Sequence, residues 1–438
     1  MFVSTVRFVQ SGWIDRFYGE PVFFFKYWGF AWVPTLPAAA MYAVYGVLAV
    51  LSLAIAAGLF YRVSIVLFAL GFTYTQLLDV TNYLNHYYLI VLLSWLMCFM
   101  PLHRAWSVDA ARKPAIRAST LPAYHLYLVR FQIGVVYCFA GLAKLNTDWL
   151  IHAQPLNIWL SARVETPLIG PLFDELWMAY LMSWAGFLFD STIVLWLSWR
   201  RTRPYAYAVV VTFHLMTDVL FNIGMFPYIM MLSATVFLAP DWPRRLPFLP
   251  TRSPSRPRHD QPVTDSEPIA SSICWRQKVG LIALLVYCAI QIAVPLRHYA
   301  YPGDVLWNEE GMRFAWKVML REKHGSVTFR VRFPDTGKEL QVSPRHYLDT
   351  RQEREMGGQP DLILQLAHHI ARDIRKRVGG GDVEVRAEAL VSLNGRPAAL
   401  MIDPERDLTQ VADGLAHGDW ILPAPPGPPI QLHARTGP

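Results

Sequence analysis

Apolar runs of membrane-crossing length recur along the chain, separated by short polar loops. Eight stretches have this character: Ala38–Phe60, Val63–Leu78, Leu84–Leu102, Leu126–Leu145, Leu176–Leu197, Tyr205–Phe221, Gly224–Leu238 and Val279–Pro295. A helix needs about 20 apolar residues to cross the hydrocarbon layer, so the second and seventh are short for the task. Before Ala38 the chain is rich in aromatic residues, but Asp15, Glu20 and Lys26 interrupt it, and 1–37 reads as an interfacial segment. After Arg297 the period changes. Met312–Arg321, Ser326–Phe333 and Glu339–Ser343 read as strands, Asp361–Arg377 as an amphipathic helix, and Asp382–Leu393 as a strand ended by an Asn394-Gly395 turn. The pattern predicts an α-helical multi-pass membrane bundle of about eight spans at 38–296, followed by a smaller, mostly β domain at 297–438.

Loop charges orient this bundle. Arg62, then Arg104, Arg112, Lys113 and Arg117, then Arg200, Arg201 and Arg203, then Arg244, Arg245, Arg252, Arg256, Arg258, Arg276 and Lys278 fall in alternate loops. The loops between them hold almost no positive charge, only Arg163 in 146–175. The positive-inside rule makes the basic set cytoplasmic and the C-terminal domain extracytoplasmic, in the inner membrane of a cell. The Pro-, Arg- and Ser-rich stretch 241–278 reads as a cytoplasmic linker.

Composition agrees with a bundle diluted by a soluble part: 438 residues, 53% hydrophobic, 17% charged, mean hydropathy +0.25. The net charge of +7 lies in loops, not along one basic face, so no nucleic-acid partner is expected. Cys98, Cys138, Cys274 and Cys288 form no CxxC, which disfavours structural zinc and a thiol relay. His368-His369 in the tail helix reads as a solvated or capping pair, and no metal is expected. No cleavable signal is apparent.

The polar residues inside apolar runs carry the chemistry. Lys144 ends Leu126–Leu145, and an ionisable group there marks a functional site or snorkels to the headgroups. Arg130, Tyr137 and Lys144 stand seven residues apart with Gly141 between, on one helical face. His86, with Asn82 and Asn85, opens its run, and His214 precedes Asp218 by one turn, a spacing at which the carboxylate could orient the imidazole. Loop charges put Lys144, His86 and His214 at one depth on the outer side. A lysine in a low-dielectric pocket becomes a free amine more readily and can take a proton from a lipid-soluble acid. Arg130, about 21 Å away along the helix, belongs to the opposite end and reads as structural.

Leu84-Asn85-His86-Tyr87-Tyr88-Leu89, Trp106-Ser107-Val108-Asp109, Arg130-Phe131-Gln132, Phe139-Ala140-Gly141-Leu142-Ala143-Lys144-Leu145, Asp148-Trp149, Phe213-His214 and Ile223-Gly224-Met225-Phe226-Pro227-Tyr228 follow one another in order. On these stretches, residues from about Leu36 to Pro243 resemble vitamin K-dependent gamma-glutamyl carboxylases and the bacterial membrane proteins that share their transmembrane domain. The resemblance implies that Lys144 is the base that deprotonates reduced vitamin K, a hydroquinone, for reaction with O2. The oxygenated quinone then removes a γ-proton from glutamate, CO2 is captured, and the 2,3-epoxide is left. It implies a carboxylation role for His86, a place near the quinone for Asn85, and a pocket role for His214. Tyr137 and Gly141, on the Lys144 face, are candidate quinone-binding positions beside Asn85. The implied partners are a lipid-soluble quinol and a glutamate-containing peptide or protein on the outer face.

Ala143 stands where the animal enzymes have a second lysine, and the tail is short and lacks cysteine. Trp307–Trp316 is only distantly similar to the family's glutamate-site region, and the chain is expected to start after the family's first spanning helix. The resemblance therefore carries epoxidation further than carboxylation. The competing expectation is a transporter or a lipid- or quinone-binding protein that keeps the scaffold without the chemistry.

Overall fold

The computed structural model describes residues 1–221, 223–245 and 275–432. Most of the expected linker, 246–274, lies outside the described residues. The helical part comprises α1 (Phe2–Gln10), α2 (Ala38–Ala57), α3 (Tyr61–Leu77), α4 (Asn85–Cys98), α5 (Ala123–Ala143), α6 (Leu176–Ser198), α7 (Arg203–Phe221), α8 (Phe226–Ala234) and α9 (Trp275–Leu296).

Among the described residues, five helical stretches are long and apolar enough to cross a membrane: α2, α5, α6, α7 and 277–300, which includes most of α9. The expectation of about eight is met only for these. α3 has 17 residues, α4 has 14 and α8 has nine. At 1.5 Å per residue α4 reaches about 21 Å, short of a hydrocarbon layer of about 30 Å. The remainder of its apolar run, Leu84 and 99–102, lies outside the helix. Leu84 is extended, and Asp79 accepts the Thr81 amide to start a 3-10 turn that meets the C-terminal domain.

The arginine-bearing loops lie at one end of the bundle. There Asp109 accepts the amides of Phe60 and Tyr61 (2.9 Å each), and Arg130 donates to the carbonyls of Val236, Phe237 and Leu238 beyond α8. Arg130 thus satisfies carbonyls that the end of a helix leaves open, the structural role expected of it.

At the other end sits a domain with an antiparallel sheet ordered β2-β1-β3-β4: β1 Lys323–Phe333, β2 Lys338–Val342, β3 Glu384–Leu393 and β4 Ala399–Leu400. Two helices, α10 (Thr350–Gly357) and α11 (Pro360–Arg377), pack on it, so the domain is mixed α and β, not mostly β. Alternation in β3 buries Val385, Ala387, Ala389, Val391 and Leu393 against Leu362, Leu366 and Ile370 of α11. His368 Nε2 donates to the Leu408 carbonyl, and His369 lies between the Phe23 and Tyr347 rings.

The strand expected at Met312–Arg321 does not form. Its apolar residues dock on the bundle instead of pairing with a strand: Phe314 packs on Tyr27, Tyr83 and Tyr88, and Trp316 stacks on Tyr88. Domain and bundle share one buried core, in which Phe25, Val80, Trp149 and Leu156 join the domain interior. Buried polar contacts fix the seat. Asp148 takes two bonds from Arg396 (2.6 and 2.7 Å) and one from Asn394 (2.9 Å), and Asp79 accepts from Gln352 (2.8 Å).

Candidate active site

The turn after α5 builds the centre of the site. α5 stops at Ala143, and the Asn146 side chain accepts the Trp149 amide at 2.9 Å, starting the short helix Thr147–Leu150. That cap sends Asp148 toward Arg396 and brings Trp149 back over Lys144, whose Nζ lies 5.0 Å from the indole centroid. The indole is fixed by its Nε1, which donates to the Ser183 carbonyl at 2.8 Å. Burial pushes the Asp148 carboxyl up, but its bonds from Arg396 and Asn394 outweigh that and hold it below the usual carboxylate range.

Lys144 is 5% exposed, and its Nζ donates to Asp190 Oδ2 on α6 at 2.7 Å. Asp190 is itself 7% exposed. The pair forms part of the wall of a cavity of about 710 Å³, a volume within the usual range for a small-molecule site. The remaining lining is almost wholly apolar, from α5, the 149–173 connection, α6, α7, α8 and residues 318–319 of the C-terminal domain. Leu181, Leu215 and Val219 line it and are also exposed on the bundle flank, so the cavity opens sideways between α6 and α7.

Tyr137 and His214 face the same cavity, with the tyrosine hydroxyl 3.1 Å from His214 Nε2. His214 Nδ1 has no hydrogen-bond partner among the described residues. Asp218 does not orient this imidazole; it accepts from the Tyr228 hydroxyl at 2.7 Å. Gly141 does not line the cavity. It faces α6, where a Cβ would come within 2.6 Å of Ser191 Oγ and 2.9 Å of its backbone nitrogen, so its bare backbone lets α5 and α6 approach.

His86 and Asn85 lie in an adjoining cavity of about 380 Å³ that shares Ile223, Phe226, Val318 and Met319 with the first. The Phe226 ring stands between the two imidazoles, with its centroid 6.0 Å from His86 and 5.8 Å from His214. Beyond Asn85 is a third cavity, of about 230 Å³ and polar, lined by Thr81, Tyr83, Glu309, Arg313, Lys317 and Arg321 among others. Asn85 accepts from the Tyr83 hydroxyl at 2.9 Å and donates to the Lys317 carbonyl at 3.4 Å. Glu309 is in contact with both Arg321 and Lys323. Arg313 is bound to Asp361 and Gln359. The Lys317 ammonium has no hydrogen bond among the described residues, and burial lowers its pKa to about 8.

The structure thus joins Lys144, Tyr137 and His214 in one chamber and places His86 and Asn85 in the next. The sequence reading missed Asp190, Trp149, Met319 and the cationic third chamber. Asp190 carried a visible signal, because it is an acid inside the apolar run Leu176–Leu197. Among the described residues no cluster of three or more His, Cys, Asp or Glu side chains has the arrangement of a metal site.

Fold and site together define a membrane protein with a lateral apolar chamber and a buried lysine, capped by a smaller sheet-containing domain. Residues 1–242 match the HTTM domain family, more than half of the chain, and residues 276–426 match the lumenal domain of vitamin K-dependent gamma-carboxylase. The chain belongs to the vitamin K-dependent gamma-glutamyl carboxylase family, and its C-terminal domain is the lumenal one. No solved structure matches it.

Proposed function

We propose that the protein oxygenates a reduced naphthoquinone in the apolar chamber and couples this to γ-carboxylation of a glutamate side chain in the polar one. The observation that supports it most is the Lys144–Asp190 pair in the wall of a lipid-facing chamber. The chamber suits a flat apolar quinol: its volume is adequate, its walls are apolar, and its one charged pair sits where a phenolic hydroxyl could be met.

Asp190 gives the Lys144 ammonium a counter-ion and an acceptor. Transfer of one proton from the Lys144 ammonium to the Asp190 carboxylate leaves a free amine that takes the quinol hydroxyl proton, and Trp149 restrains the ammonium so regenerated. Tyr137 and His214 provide a hydrogen-bonding edge on the facing helices. Bound quinol and O2 supply the strong base that takes the γ-proton; the quinol ends as epoxide, the second oxygen as water, and CO2 as the new carboxylate. Apolar walls keep bulk water from that base. His86 and Asn85 stand between the two half-reactions, and Lys317 offers a cation to the glutamate carboxylate. The basic loops at the opposite end support a C-terminal domain outside a cell's inner membrane.

The test is epoxide formation from a menaquinol-type hydroquinone under O2, measured beside 14C-bicarbonate incorporation into a glutamate peptide. Wild type is expected to do both and Lys144→Ala neither, while His86→Ala keeps epoxidation. A folded wild-type preparation that binds quinol without forming epoxide refutes the reading and leaves a binding protein.

A further inference from the structure

Among the described residues, Met319 lines all three cavities. Val318, Ile223 and Phe226 separate the first from the second, and Leu84 and Asn85 border the second and third, so the chambers form a row with Met319 at each junction. In the proposed reaction the base arises in the apolar chamber, whereas the glutamate carboxylate is met in the polar one. Something must separate the chambers while glutamate is absent and join them when it is bound.

The segment that carries Met319 is held under strain. Glu309, Phe314, Trp316 and Met319 all have left-handed backbone, at φ of 65°, 64°, 56° and 54°. Such conformations cost non-glycine residues of order 1–3 kcal/mol each and persist only where surroundings enforce them. The enforcing contacts are identifiable. Tyr83 hydroxyl accepts the Phe314 amide at 2.9 Å, Arg297 binds the Arg313 carbonyl at 2.5 Å, and Asn85 reaches the Lys317 carbonyl.

Met319 is flanked two residues away on each side by Lys317 and Arg321, two of the cations that line the polar chamber. Arg321 is currently occupied by Glu309, a carboxylate of this same chain. A substrate carboxylate that draws on Lys317 and competes with Glu309 for Arg321 therefore pulls on both ends of the strained turn. The side chain at its centre is unbranched and adapts easily to a new packing.

We infer that Met319 is the coupling residue. Its side chain partitions the quinol chamber from the polar chamber, and a carboxylate on Lys317 and Arg321 displaces it to connect them. This rests on the reading above, and it makes Met319 a positioning and specificity residue without a role in proton transfer.

The experiment measures epoxide and 14C-carboxylate formation by the full-length protein with and without a blocked glutamate dipeptide, for wild type, Met319→Leu, Met319→Ala and Met319→Trp. Wild type and Met319→Leu should form little epoxide without the dipeptide and near-equal amounts of both products with it. Met319→Ala should form epoxide independently of the dipeptide, raising the ratio of epoxide to carboxylate roughly tenfold. Met319→Trp, too bulky to be displaced, should form little epoxide with or without the dipeptide and lose carboxylation. If wild type forms epoxide but all variants retain its stoichiometry and dipeptide dependence, the coupling role is overturned and the functional reading stands. A second measurement does not use turnover: oxidation of Met319 to its sulfoxide by hydrogen peroxide, followed by mass spectrometry. It should quicken when the dipeptide is added to wild type, and an unchanged rate overturns the inference even where the enzyme is active.

Discussion

Lys144 Nζ and Asp190 Oδ2 are 2.7 Å apart, and both side chains are almost completely withdrawn from solvent. Breaking a buried pair from one side costs about 3–5 kcal/mol, because the remaining charge is left uncompensated. Lys144→Ala and Asp190→Ala should each lower the thermal unfolding temperature in detergent. A double Lys144→Met, Asp190→Leu variant should recover most of it while forming no epoxide. Asp190→Asn, which keeps the shape and removes the counter-ion, should slow epoxide formation by a factor of about 10²–10⁴, the usual worth of a positioned base. An Asp190→Asn protein with wild-type turnover would exclude the dyad.

The Asp148–Arg396 contact ties the turn after Lys144 to the β3–β4 connection of the domain. Arg396→Ala should destabilise the seat by about 3–5 kcal/mol and disturb Trp149. The readouts are faster limited proteolysis of the C-terminal domain and reduced epoxidation. Because the native carboxyl sits below its ordinary value, the stabilisation it contributes is present above pH about 4 and is lost as pH falls through the native value. Arg396→Ala should therefore flatten the acid limb of the stability profile, and an unchanged limb would count against the clamp.

Lys317 sets a pH dependence on the alkaline side. Its pKa is lowered to about 8 by burial, so it is an ammonium below pH about 8 and loses its charge above. A carboxylate ligand should bind progressively more weakly as pH rises through that value. KM for a glutamate peptide should climb roughly tenfold while KM for the quinol, at saturating peptide, is unaffected, the tenfold corresponding to about 1.4 kcal/mol. Lys317→Arg, which stays charged, should remove the rise. A KM that is flat in wild type would remove Lys317 from the glutamate site.

Gly141 is set against Ser191, and part of the obstruction to a Cβ is backbone. Gly141→Ala should cost about 1–3 kcal/mol through overpacking. Thermal unfolding should show that loss, whereas KM for the quinol should change little. A change in KM without a change in stability would return Gly141 to the binding surface.

How far the sequence reached depends on the kind of contact each residue makes. Lys144 and His214 stood out because a charge or imidazole in an apolar run is conspicuous whatever surrounds it. Asp190 offered the same contrast at lower visibility, one acid among 23 residues of α6. The seven-residue stripe correctly put Tyr137 on the Lys144 side, but periodicity does not show which neighbour lies opposite, and Gly141 met a helix instead of the chamber. Strand-like alternation in Met312–Arg321 had its cause in Tyr27, Tyr83 and Tyr88, which lie more than two hundred residues earlier. Local pattern records that alternate side chains are apolar, not what covers them. Helix lengths were overestimated for the same reason: the apolar runs continue past the helix ends, into the residues after Cys98 in α4 and into the 3-10 turn Thr235–Phe237 after α8, whose carbonyls meet Arg130.

The flank opening between α6 and α7, bordered by Leu181, Leu215 and Val219, has a kinetic consequence. A substrate that arrives through it is sampled from a two-dimensional phase, so the variable governing its supply is its mole fraction among lipids. Diluting a fixed amount of quinol with inert phospholipid should slow turnover, although the number of quinol molecules per millilitre has not changed. Rates plotted against bulk molarity should scatter across preparations, and the same rates plotted against surface density should fall on one curve.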